Sequence, residues 1–143
     1  YLQRVGDESA KALAEIDTLE DIAIHLGTLG VAGGCALAKS KLMVLTIYRC
    51  YIFYDENDNK TGDEAKNFIG ALIENKTIET LYLNNTCIYD DLLVRLIEKT
   101  KSIKSLYLES DACDKELFEG LCMSQKEMYV HLGEETILLG EEV

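Results

Sequence analysis

The run Ile78-Glu79-Thr80-Leu81-Tyr82-Leu83-Asn84-Asn85-Thr86-Cys87-Ile88 carries apolar residues at its first, fourth, sixth and eleventh places. That pattern is neither the alternation of a half-buried strand nor the period of an amphipathic helix. It returns in the same register from Ile103 to Cys113, from Leu19 to Leu29 and from Leu42 to Ile52. A degraded fifth copy has Val130, Leu132 and Ile137 at the fourth, sixth and eleventh places, with Glu127 at the first. Taking the fourth place as marker, Ile22, Leu45, Leu81, Leu106 and Val130 are separated by 23, 36, 25 and 24 residues. A period of this length restricts the chain to an array of small supersecondary units. None of them can bury its apolar residues alone, so each is stabilised by stacking on its neighbours.

Within each period the fourth and sixth places point to one face of a short strand, and the stretch between copies reads as a helix. Over residues 1 to 18, cap-type residues Gly6 to Ser9 precede a stripe of Ala10, Leu13, Ala14 and Ile16. A short helical turn is expected around Cys35 to Ala38. Asp63 to Asn75 forms the clearest helix, with Ala65, Phe68, Ile69, Leu72 and Ile73 on one stripe. Tyr89 to Thr100 repeats it with Leu92, Leu93, Leu96 and Ile97, and the last helix is expected over Lys115 to Met123. The long interval is explained by an inserted polar surface loop, residues 53 to 61. At the ends, Leu2 precedes Gly6 by four residues as Leu29 precedes Gly33, which places Leu2 in the tail of an earlier unit. Beyond Ile137 only residues 138 to 143 remain to cover the last strand's edge, so the ends read as open to self-association.

The period with its LxxLxLxx(N/C)xL strands resembles the leucine-rich repeats of the ribonuclease-inhibitor type. The matching segments are Leu42 to Ile52 with Cys50 at the ninth place, and Gly62-Asp63-Glu64-Ala65 through Leu72 to Ile78. The resemblance implies an α/β solenoid of about five strand-helix units, with parallel strands on the concave face and helices on the convex face. It spans residues 1 to 143 as a single domain, which reads as part of a longer array or an excised or processed piece, since it opens on Tyr1. The ninth place departs from the pattern at Gly27, Thr86, Asp111 and Glu135, so the turns there are expected to be less regular.

Charge bounds the partners. Fourteen basic residues against 26 acidic ones give a net charge of −12, which argues against nucleic acid or an anionic membrane surface and leaves room for a basic protein partner. No apolar run approaches a membrane span. Five cysteines cannot all pair, and Cys50, Cys87, Cys113 and Cys122 sit inside apolar patterns without metal-ligand spacing. They read as buried small side chains in a reducing, cytoplasmic compartment.

The places between the apolar anchors align into columns on the concave face. The fifth place gives Ala23, Thr46, Tyr82, Tyr107 and His131; the seventh gives His25, Tyr48, Asn84, Glu109 and Gly133; Tyr129 joins at the third. An exposed tyrosine-rich patch is what protein interfaces favour, whereas tyrosine is also simply a good strand residue. Tyr48, Tyr82, Asn84, Tyr107, Glu109, Tyr129 and His131 are therefore the partner-binding candidates, with Glu20, Asp21 and Glu79 as an acidic share of the face. His25 and His131 belong to the first and last copies and have no nucleophile in a recognisable elbow, so no catalytic role, metal or cofactor is assigned. The loop Asp55 to Lys60 matches a calcium loop at three places but lacks its glycine and its final acid, and reads as a solvated loop. The sequons at Asn59, Asn75 and Asn84 are chance-level patterns. The sequence thus points to a non-enzymatic interaction module. The alternative is a regulatory subunit of an enzyme system, acting on a small GTPase or selecting ubiquitylation substrates, for which Arg49 is the one candidate phosphate contact.

Overall fold

In the computed structural model the described residues are 2–3, 6–25, 29–48, 52, 62–84, 90–108, 128–132 and 135–139. Strands β1 (Leu2–Gln3), β2 (Asp21–His25), β3 (Val44–Tyr48), β4 (Thr80–Asn84), β5 (Ser105–Leu108), β6 (Met128–Leu132) and β7 (Glu135–Leu139) form one sheet in chain order. Each of the first five runs parallel to the next, and β7 turns back antiparallel on β6. Helices α1 (Asp7–Ala14), α2 (Val31–Ala38), α3 (Asp63–Glu74) and α4 (Asp90–Lys99) separate the first five strands, and each packs beside the next. The architecture is α/β, a largely parallel sheet with four described helices.

Register follows the fourth and sixth places residue for residue. Ile22, Leu45, Leu81, Leu106 and Val130 lie side by side and are all buried. Ile24, Ile47, Leu83 and Leu108 form a second buried row. Both rows belong to the same core as Leu37, Phe68, Leu72, Leu93 and Ile97 from the helices. The helices therefore cover one face of the sheet, and burying each such side chain contributes about 1.5–3 kcal/mol. The other face carries the residues between, and burial alternates accordingly along β3 and β5.

Polar atoms pin each entry into the sheet. The Glu20 carbonyl accepts the N–H groups of Met43 and Val44, and the Met43 and Glu79 carbonyls do the same for the next two strands. Just before the first place, Ser40, Asn75 and Thr100 are buried, and each side-chain oxygen accepts the backbone N–H of Leu42, Ile78 or Ile103. Asn75 does more. Its Nδ2 donates to the Ala38 and Ser40 carbonyls at 2.8 and 2.9 Å, while its Oδ1 also accepts from Thr77 N at 2.7 Å. This tethers the end of α3 to the preceding strand-helix segment. Asn75 is only 7% exposed, which removes it as a glycosylation site.

Two glycines are required by geometry. Gly62 opens α3 at φ 60°, a left-handed conformation that a side chain disfavours. At Gly33 a Cβ would stand 2.6 Å from both Asp7 Oδ1 and Leu29 Cδ1. That close approach lets Asp7 reach across from α1 and accept the N–H groups of Gly30 and Gly33 at 2.8 and 3.0 Å, capping α2 from the neighbouring helix.

Four sequence expectations are corrected. Ile16 lies past the end of α1 and is 47% exposed, because the helix stops at Ala14. The expected turn at Cys35 is the last part of a two-turn helix that begins at Val31. Leu2 pairs with Ile24, a sixth-place residue, rather than occupying an eleventh place; Gly6 and Gly30 are the matching positions, since both are N-caps. Ile137 stands opposite Val130 in the β6–β7 hairpin, so residues 135–139 pair with the edge of β6 that was expected to stay open. The helix expected over 115–123, the loop 53–61, Arg49, and Cys50, Cys87, Cys113 and Cys122 lie outside the described residues.

Candidate functional site

The sheet face that no described helix covers is where the candidate residues meet. Its middle row is Ala23, Thr46, Tyr82, Tyr107 and His131, neighbours in continuous register. Parallel strands lie about 4.8 Å apart, and the rings close on one another within that spacing. Tyr82 and Tyr107 stack with centroids 4.0 Å apart and planes 11° from parallel. Tyr107 and His131 repeat the arrangement at 4.0 Å and 7°. Stacked pairs of this kind contribute about 0.5–1.5 kcal/mol beyond their buried area. His131 Nδ1 lies 3.0 Å from Thr136 Oγ1, so the hairpin strand fixes the ring at the far end of the stack.

The result is a three-ring ridge. Tyr107 is covered on both faces by its neighbours, whereas the outer face of Tyr82 turns toward the shorter side chains of Thr46 and Ala23. The Tyr82 phenol is held above its ordinary value by burial first, then by the hydrogen bond and the charge of Tyr107, and last by the charge of Asp21. Tyr82 thus remains a neutral hydroxyl at physiological pH, able to donate or accept.

The remaining candidates flank the ridge. Tyr48 is half-buried on β3 and pairs in register with Asn84 of β4. Tyr129 pairs with Ser105 and is 50% exposed, an uncommon value among the large hydrophobic residues. Asp21 opens β2 in register with Val44 and is exposed. Glu79 sits beside Lys104 at 3.6 Å, its charge already partnered. Glu109 lies outside the described residues. The two histidines belong to strands β2 and β6, four places apart in the sheet. Among the described residues no group of three or more His, Cys, Asp or Glu is placed to hold a metal ion.

A second concavity was not foreseen. Between α2, α3 and the turns that follow them lies a groove of about 760 Å³, bordered by Lys39, Lys41, Lys76, Asn67 and Glu74, with Cys35 in its wall. Burial pushes the Cys35 thiol up, against a weaker downward pull from Lys39, so the sulfur stays a protonated, poorly nucleophilic thiol. Lys41 pairs with Asp17 and Glu74 with Lys101. Lysines near helix C-termini offset the helix dipole, which accounts for their placement without a ligand. The signal in the sequence is a lysine just after the ends of α2 and α3, Lys39 and Lys76.

Among the described residues no helix is long and apolar enough to cross a membrane. Comparison with protein-family models, with curated proteins and with solved structures gives no match.

Proposed function

We propose that this chain is a non-enzymatic protein-interaction module, a solenoid of leucine-rich-repeat type whose strand face is the concave binding surface. The observation that carries the reading is the Tyr82–Tyr107–His131 stack on a sheet face that no described helix covers. The rows on the helix-covered face of the sheet are aliphatic and buried. This one is aromatic, half-exposed and pre-ordered, so a partner gains contact area without the entropic cost of fixing the rings. Tyrosine adds a polar tip to a large apolar surface, the combination that interfaces favour. The partner is another protein with a basic contacting surface, given the net charge of −12, and the setting is a reducing, cytoplasmic one. Tyr48, Asn84, Tyr129 and Glu109 would complete the contact.

Affinity capture with the wild-type chain and with a Tyr82→Ala/Tyr107→Ala double variant tests the reading. Proteins retained by the first and lost from the second are expected. An identical captured set would contradict a binding role for this face.

A further inference from the structure

The aromatic ridge ends in a step. On one side of Tyr82 stand Tyr107 and His131 at stacking distance. On the other side the same row drops to Thr46 and then Ala23, side chains too short to cover a phenol ring. The outer face of Tyr82 therefore forms a wall above a floor of small residues. Asp21 stands at the foot of this floor, two residues before Ala23 on the same strand, exposed, and near enough for its charge to act on the Tyr82 hydroxyl. None of the residues that the described strands place on this face is a lysine or arginine, and the protein as a whole is strongly acidic.

We infer that this step is a seat for an arginine of the partner protein, its guanidinium lying flat against the outer face of Tyr82 and its N–H groups directed at Asp21. The inference rests on the open-face reading and names the chemistry of what that face takes. A guanidinium is planar, so it stacks on an aromatic face while its edge remains free to pair with a carboxylate. The Tyr107 and His131 rings behind Tyr82 hold the wall upright, and Thr46 and Ala23 leave room for the arginine's aliphatic stem. An acidic or neutral occupant would leave Asp21 without a partner. A lysine would meet Asp21 as a point charge but lacks the flat surface that matches the ring.

The test uses a short peptide of alternating arginine and serine, and its counterpart with citrulline at each arginine, which keeps the shape and loses the charge. Binding to the full chain is followed by fluorescence anisotropy. Asp21→Asn and Tyr82→Leu are each expected to weaken the arginine peptide about tenfold, the scale of one cation–π or charge-paired contact, and Asp21→Glu to restore much of the loss. Asp63→Asn removes the same charge from α3, away from the face, and is expected to leave binding unchanged. Circular dichroism checks that each variant folds. Equal binding of the citrulline peptide, equal weakening by Asp63→Asn, or wild-type affinity in both Asp21→Asn and Tyr82→Leu would overturn the inference. If it falls in this way while the Tyr82→Ala/Tyr107→Ala variant still loses its captured protein, the open-face reading stands without the arginine seat. If neither effect is seen, both fall.

Discussion

Leu81 and Tyr82 are adjacent in the chain and look to opposite sides of one sheet. On the Leu81 side every strand from β2 to β6 offers the same chemistry, Ile, Leu, Leu, Leu and Val, all buried. On the Tyr82 side the corresponding series runs Ala, Thr, Tyr, Tyr and His, all half-exposed. Packing against the helices accepts few side chains and no vacancy, so the first series is uniform. The second is free of that constraint, and what it carries is available for recognition. A repeated buried pattern reports on the fold, while variation at the places between reports on function.

The sharpest way to break this contrast is to truncate both neighbours. Leu81→Ala should cost about 2–5 kcal/mol, by lost burial and the cavity left behind, whereas Tyr82→Ala should cost about 1 kcal/mol, mainly its stacking on Tyr107. Urea unfolding of the two variants measures both, and equal losses would mean that Tyr82 is a core residue after all. Next in size is Asn75→Ala. It leaves the buried Ala38 carbonyl and Ile78 N–H without this partner, while the Ser40 carbonyl keeps Thr77 Oγ1 and the Thr77 N–H is only part-buried, and should cost about 2–4 kcal/mol, from about 1–3 kcal/mol for each of the two buried groups left unpaired.

The helix layer offers a finer contrast between two glycines. Gly33→Ala forces a Cβ against the Asp7 backbone and Leu29 and should destabilise by about 1–3 kcal/mol. Gly70 sits in the interior of α3, where a Cβ would have no described atom of a neighbouring element within 4 Å, so Gly70→Ala should stabilise by about 1 kcal/mol through helix propensity alone. Thermal unfolding midpoints moving in opposite directions would bear this out.

The smallest effect concerns pH. Because the folded chain holds the Tyr82 proton more tightly than an ordinary phenol, the unfolded chain loses its proton first as pH rises. The stabilisation is complete below a pH of about 10, the ordinary phenol value, and is lost as pH climbs through the higher folded-state value. Spectroscopic titration of phenolate should show a late-ionising component that is lost in Tyr82→Phe, and alkaline destabilisation should be milder in that variant.

Much of the sheet was legible because its signal is a spacing. The fourth and sixth places recur at intervals of 23 to 25 residues with one lengthened to 36, and the parallel register and the Tyr82–Tyr107–His131 row follow from aligning them. The rest depended on contacts that spacing does not encode. The start of α2 was hidden by Gly33 and Gly34, poor helix formers that are tolerated because α1 packs so closely that Asp7 can cap the helix from outside. The polar column Ser40, Asn75 and Thr100 was missed because its members differ in type. What they share is a side-chain oxygen two or three residues before the first place, a pattern visible only once the hydrogen bonds give it a purpose. The β6–β7 hairpin escaped because Ile137 fits an eleventh place in spacing, while a strand edge that would otherwise stay unpaired favours folding back. The step beside Tyr82 required knowing that the rings stack face to face, so that the row continues beyond Tyr82 with the short side chains of Thr46 and Ala23.

The most direct test of the division between the two faces is to titrate the arginine–serine peptide into isotopically labelled protein and map the resonances that move. Perturbations gathered at Ala23, Thr46, Tyr82 and Tyr107, with those of Leu37, Phe68 and Leu72 unchanged, are the predicted result. Perturbations confined to the helix layer, or spread evenly over the acidic surface, would contradict it.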